Sequence, residues 1–141
     1  MAAVPTTDAS ITFVRPAELT RQVPYAYAAV VKPGRAVFTA GACPLGPDGE
    51  TVARGDVAAQ AEQVMANLVN TLHAAGAQLT DVVKTTVYVA SSERADLVAA
   101  WNVVHAVFGD HDAPSTLLGV QVLGYPDQLV EVEAIAVQPG T

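Results

Sequence analysis

At 141 residues and 51% hydrophobic composition, the chain is long enough for one domain with a real core and too apolar to be disordered. A net charge of −7, with only seven lysines and arginines scattered along the chain, speaks against nucleic-acid binding, which rests on basic side chains neutralising phosphates. No apolar run approaches the ~20 residues of a membrane helix, Met1-Ala2-Ala3-Val4-Pro5 lacks a secretory pattern, and the single Cys43 precludes an internal disulfide and fits a cytoplasmic location.

In chain order, residues 1–9 read as a loose leader to a single domain spanning 1–141. Ile11 to Val14 is a short β segment, and Tyr25 to Val31 leans towards β. Pro33-Gly34 has the chemistry of a turn, which predicts a hairpin with the returning strand Arg35 to Thr39. Thr51-Val52 reads as a brief strand. Asp56 is a helix N-cap. Val57, Ala61, Val64, Met65, Leu68 and Leu72 follow at helical spacing, and Gly76 is the stop. Val82 to Val89 is rich in β-branched residues and predicts a strand. A second helix over 93–108 carries Leu97, Trp101, Val104 and Phe108 as its apolar stripe. Segments 115–123 and 129–137 close the chain as strands joined by Gly124-Tyr125-Pro126-Asp127. The order is βββαβαββ. It predicts an α+β fold, a mixed six-stranded sheet with both helices on one face. The other face must meet water or another subunit.

The last strand is the most informative. Successive side chains of a strand turn to opposite faces, so Val130, Val132, Ala134 and Ala136 share an apolar face. Glu131 and Glu133 share the other with Leu129 and Ile135. Their Cα atoms lie roughly 7 Å apart. Two such carboxylates are either a solvated outer face or proton carriers in a site. Elsewhere the signals are weaker. His73, His105 and His111 have no metal-ligand spacing, so no metal is expected. Cys43 reads as a packed cysteine more readily than as a nucleophile. Tyr27 stands in a small apolar segment and needs a hydroxyl partner if buried.

Several segments together resemble the Rid family of reactive intermediate deaminases, also called YjgF-like. They are Gly41 followed by Pro44, Gln60-Ala61-x-Gln63-x-x-x-Asn67, Ala75-Gly76, Asp81-Val82-Val83-Lys84-Thr85-Thr86-Val87-Tyr88-Val89, Asn102, and Glu131-Val132-Glu133-Ala134-Ile135-Ala136. The resemblance implies a chorismate-mutase-like fold and a homotrimer, with helices outside and small-molecule clefts between subunits. It implies hydrolysis of imines or enamines to keto acids and ammonia without metal or cofactor. The matching cleft residues are Tyr27, Ala40, Gly41 and Glu131, with Glu131 as the proton carrier, Leu118 contributing its backbone carbonyl, and Asn102 in support.

One position departs from that pattern. Thr116 follows Pro114-Ser115 where the deaminases carry an arginine for the substrate carboxylate, and Leu118 stands where a cysteine often sits. Losing such a charge-assisted pair is worth roughly 1.5–3 kcal/mol, or about ten- to a hundredfold in binding, unless Arg35 or Lys84 substitutes. The expectation is an imine or enamine hydrolase with an atypical substrate. The alternatives are a non-catalytic ligand-binding or chaperone-like trimer, or another reaction (addition, cyclisation, ring opening) on the same scaffold.

Overall fold

The computed structural model describes residues 10–139, so the expected leader at 1–9 lies outside the described residues. The elements are β1 (Ile11–Val14), β2 (Ala28–Val31), β3 (Gly34–Phe38), α1 (Val57–Ala74), β4 (Val82–Val89), α2 (Arg94–Phe108), β5 (Ser115–Gly119) and β6 (Val130–Pro139). Their order is the expected βββαβαββ, and a 3-10 turn, Leu79–Asp81, precedes β4.

The six strands do not form one hydrogen-bonded sheet. Four of them run in the order β3-β6-β4-β5, and β1 and β2 form a separate antiparallel pair. The expected hairpin across Pro33-Gly34 is absent: β2 pairs with β1, and β3 pairs with β6. Gly34 explains the difference. It belongs to β3 and is not among the positive-φ glycines. A Cβ on it would overlap the backbone carbonyl of Gln138. Its smallness therefore serves the close approach of β6, not a turn. The last two strands are not neighbours either. β4 lies between them, parallel to β5 through the α2 crossover and antiparallel to β6. β5 stops at Gly119, four residues earlier than expected. Thr51 makes only an isolated bridge to Leu45.

Both helices cover one face of the four-stranded sheet. Asp56 caps α1 by accepting a hydrogen bond from the Ala59 amide (3.0 Å), and Gly76 adopts φ +81° just past its end. Val64, Leu68 and Leu72 of α1 and Ala100 and Val104 of α2 pack with Val82, Val87, Val130, Val132 and Ala136 in a single core. The apolar face read from alternation in β6 is thus the helix side. The face carrying Glu131 and Glu133 points away from both helices.

Candidate functional site

Strand register arranges the outer face in rows. Leu118 of β5, Tyr88 of β4 and Glu131 of β6 lie side by side. Thr116, Thr86 and Glu133 form the next row. Beyond it, Lys84 faces Ile135, which also faces Phe38 of β3. Tyr88, Glu131, Thr86 and Glu133 are polar and half-buried, whereas Thr116, Leu118 and Phe38 are exposed.

Glu131 is the most constrained acid of this face. Its Oε1 accepts hydrogen bonds from Gln128 Nε2 (3.0 Å) and from the Cys43 thiol (3.3 Å). Its Oε2 makes no hydrogen bond among the described residues and lies against Gly41, where a Cβ would overlap it. Glycine at 41 is therefore a requirement for this carboxylate position. Burial, reinforced by the Glu131 hydrogen bond and charge, pushes the Cys43 thiol up to about 11. Cys43 is therefore a protonated donor to Glu131 at neutral pH. Glu133 is engaged differently, accepting from the Tyr88 hydroxyl at 2.5 Å. That bond, then burial, raises the phenol above its ordinary value.

Two side chains of α1 hold the loops that bring these groups together. Asn67 Nδ2 donates to the Cys43 and Leu45 carbonyls (2.8 and 3.0 Å). The buried Gln60 donates to the Asp127 carbonyl (2.9 Å) and accepts from the Leu129 amide (2.7 Å). Gln128 is itself buried, its second acceptor being the Val130 carbonyl.

The remaining expected residues are dispersed. Ala40 is exposed next to Gly41. Thr116 is exposed on β5 and lines an open cleft of about 420 Å³ with Pro24, Tyr25, Trp101, Ser115 and Leu117. Lys84 Nζ donates to Thr116 Oγ1 at 2.6 Å, and burial holds the ammonium below the ordinary lysine range. Arg35, the other candidate cation, is bound at the helix side by Gln138 and the Ala75 carbonyl. Tyr27 packs edge-on against Tyr25 of the cleft, and its hydroxyl donates to the Thr20 carbonyl (2.7 Å). Asn102 is exposed on α2, in the layer opposite Glu131, and is not brought to it within the chain. Cys43, Gln128 and Tyr88 were not among the expected site residues. Only Cys43 had a sequence signal, its place beside the Gly41 segment. Among the described residues no group of three or more His, Cys, Asp or Glu could hold a metal ion, and no helix is long and apolar enough to cross a membrane.

The family described as Endoribonuclease L-PSP matches residues 18–138. The chain belongs to the Rid (YjgF-like) family. A RutC family protein of Pyrococcus horikoshii is 36% identical over 111 residues, covering 78% of this chain and 85% of that one. A 2-iminobutanoate/2-iminopropanoate deaminase of Salmonella typhimurium is 37% identical over 107 residues, 74% and 81% of the two chains. Among solved structures, a Rid family protein of unknown function from Yersinia pestis superposes with TM-score 0.86 at 33% identity, covering 92% of this chain and all of that one. The α+β fold with its mixed sheets is thus the chorismate-mutase-like fold of Rid proteins.

Proposed function

We propose that this Rid protein is a cofactor-free hydrolase of small imines or enamines, acting as a cytoplasmic homotrimer with Glu131 as its proton carrier. The observation that carries the reading is the asymmetry of Glu131. Gln128 and Cys43 fix one carboxylate oxygen, and the other lies against Gly41 without a partner among the described residues. A carboxylate oxygen so placed takes a proton from water as that water adds to the C=N carbon. Glu131 hands that proton to nitrogen to give the neutral carbinolamine, then takes the hydroxyl proton and delivers it to nitrogen as well, so that the C=O bond forms while the C–N bond breaks and ammonia leaves. An enamine enters the same route after protonation on carbon. The resemblance to the deaminase from Salmonella typhimurium supports this chemistry. The net charge of −7 disfavours a ribonuclease.

Imines generated in situ by an oxidase and followed by competition with semicarbazide test the proposal. The wild type is expected to accelerate their loss. Glu131→Gln, which keeps the shape but cannot carry the proton, is expected to lose about 10²-fold or more of that acceleration while the oligomer persists. Full activity in the variant removes Glu131 from the role. Thr116 in place of arginine makes the substrate grip atypical, which bears on the class of imine accepted.

A further inference from the structure

Cys43 has one hydrogen to give and two acceptors in reach. Its Sγ lies 3.3 Å from Glu131 Oε1 and 3.5 Å from the Gly41 carbonyl oxygen. Burial first, and then Glu131, keep that hydrogen on sulfur, with the thiol pushed up to about 11. The backbone around it is pinned. Asn67 Nδ2 grips the Cys43 carbonyl at 2.8 Å, and Ala42 and Val132 exchange two backbone hydrogen bonds beside it, at 2.7 and 3.2 Å. What can still turn is the S–H itself.

The other donor to Glu131 Oε1 cannot turn. Gln128 Oε1 accepts from the Tyr125 amide (3.1 Å), while Nε2 donates to the Val130 carbonyl (3.1 Å) and to Glu131 (3.0 Å). Flipping this buried amide would set its oxygen against two other oxygens and strand the Tyr125 N–H. Oε1 thus holds one fixed and one adjustable donor. Oε2 makes no hydrogen bond among the described residues, so an incoming proton settles there. A charged acceptor binds a hydrogen roughly twice as strongly as a neutral one. Which of its two acceptors the thiol prefers therefore depends on the charge of Glu131.

We propose that Cys43 is a positioning residue whose thiol follows the charge of Glu131, donating to Oε1 while the carboxylate is ionised and turning to the Gly41 carbonyl once Oε2 has taken a proton. That the proton comes from an attacking water rests on the hydrolase reading of Glu131; the turning of the thiol does not. The device supports the ionised base before reaction and withdraws as the proton arrives, so the half-buried thiol keeps a partner at both stages. The other titratable groups facing Glu131 are Tyr88, beside it on β4, and Glu133, two residues along β6. These two are engaged with each other, which leaves the thiol as the titratable group that hydrogen-bonds Glu131 directly.

The chain has one cysteine, so its S–H infrared stretch is a single band, and a stronger acceptor lowers its wavenumber. At pH 7 the band of Glu131→Gln is expected above that of wild type, with circular dichroism confirming that both are folded. On acidification the wild-type band should rise in one step to the position seen in Glu131→Gln, whose own band stays put. Glu133→Gln should keep the step. The same band in wild type and Glu131→Gln at pH 7 overturns the coupling, and needs no acid to be seen. A second arm reads the chemistry, with imines made in situ by an oxidase. Cys43→Ala is expected to lower kcat/KM about threefold at pH 7 and further as pH falls, because the ionised base has lost a donor. Cys43→Ser, which keeps a donor there, should restore the wild-type profile. An alanine variant with the wild-type pH profile removes Cys43 from the chemistry. A wild type that accelerates no imine overturns the hydrolase reading instead, and the infrared comparison then decides the thiol by itself.

Discussion

Glu131 and Cys43 constrain each other, and the constraint has a sign that chemistry can read. The carboxylate accepts the thiol proton, and its negative charge opposes formation of a thiolate beside it. Burial acts in the same direction and is the larger cause, carrying the thiol from 9.0 to about 11. The raised value favours the protonated form, so reactivity is lost at neutral pH and returns only in strong alkali. Thiolate is the species that alkylates. At pH 8 its share is roughly a hundredfold below that of an ordinary cysteine, since each pKa unit is a factor of ten. Iodoacetamide is therefore expected to label Cys43 about a hundredfold more slowly in the native chain than in the urea-unfolded chain at pH 8. Between pH 9 and 10 the native rate should still climb about tenfold, where an ordinary thiol levels off. A rate already level by pH 9.5 rejects the coupling. The same experiment on Glu131→Gln should show faster labelling, because one of the two causes is gone.

At the scale of elements, α1 does more than cover the sheet. Gln60 is fully buried and bridges α1 to both sides of Gln128, through the Asp127 carbonyl and the Leu129 amide. Gln60→Leu conserves volume approximately and strands both backbone groups. Leaving buried polar groups unpaired costs about 1–3 kcal/mol, visible as a lower midpoint in urea or thermal unfolding. Because Gln128 then loses its fixed position against Glu131, imine hydrolysis should fall further than stability alone explains under conditions where the variant is fully folded. A stable variant with full activity shows that the 124–128 loop holds itself. The Gln60 and Asn67 spacing was legible in the sequence as part of a family pattern, but its purpose was not. Which loop a helix side chain grips depends on where the loop returns in space. The same distinction explains the strands. Alternation along Val130, Val132, Ala134 and Ala136 revealed the buried face and so the face of Glu131. Caps and stops at Asp56 and Gly76 set the limits of α1. Pro33-Gly34 looked like a hairpin turn because the local chemistry allows one. The partner that decides Gly34 is Gln138, about a hundred positions away, and no local pattern reports it. Lys84 was legible as a candidate cation, and only the fold separates it from Arg35.

For the whole molecule, the outer face of the four-stranded sheet is the surface on which assembly turns. β3 and β5 are its edges. Phe38 on β3 is 72% exposed and Leu118 on β5 is 43% exposed, with Val122 at 78% beyond it. Large apolar side chains on an unpaired edge invite association. Polar groups lie between them: Glu131, Glu133, Tyr88 and Lys84. A homotrimer that closes over this face would cover the apolar rim and place the Glu131 rows within shared clefts. Light scattering is then expected to give about three times the chain mass of 14.5 kDa. Phe38→Glu puts a charge where a neighbour would have to desolvate it, which costs several kcal/mol if unpaired, and should reduce the mass to that of one chain. Phe38 contributes little to the core of its own subunit, so circular dichroism should be preserved. The consequence for function follows from geometry. Within one chain, Tyr27 bonds Thr20 and Asn102 stands on the opposite layer from Glu131; neither completes the site from the same subunit. If the clefts are shared, the folded monomeric variant should lose imine hydrolysis although Glu131, Gln128 and Cys43 are untouched. A monomer that retains activity would instead mean that one chain carries the whole site, and that the exposed rim of Phe38 serves assembly alone.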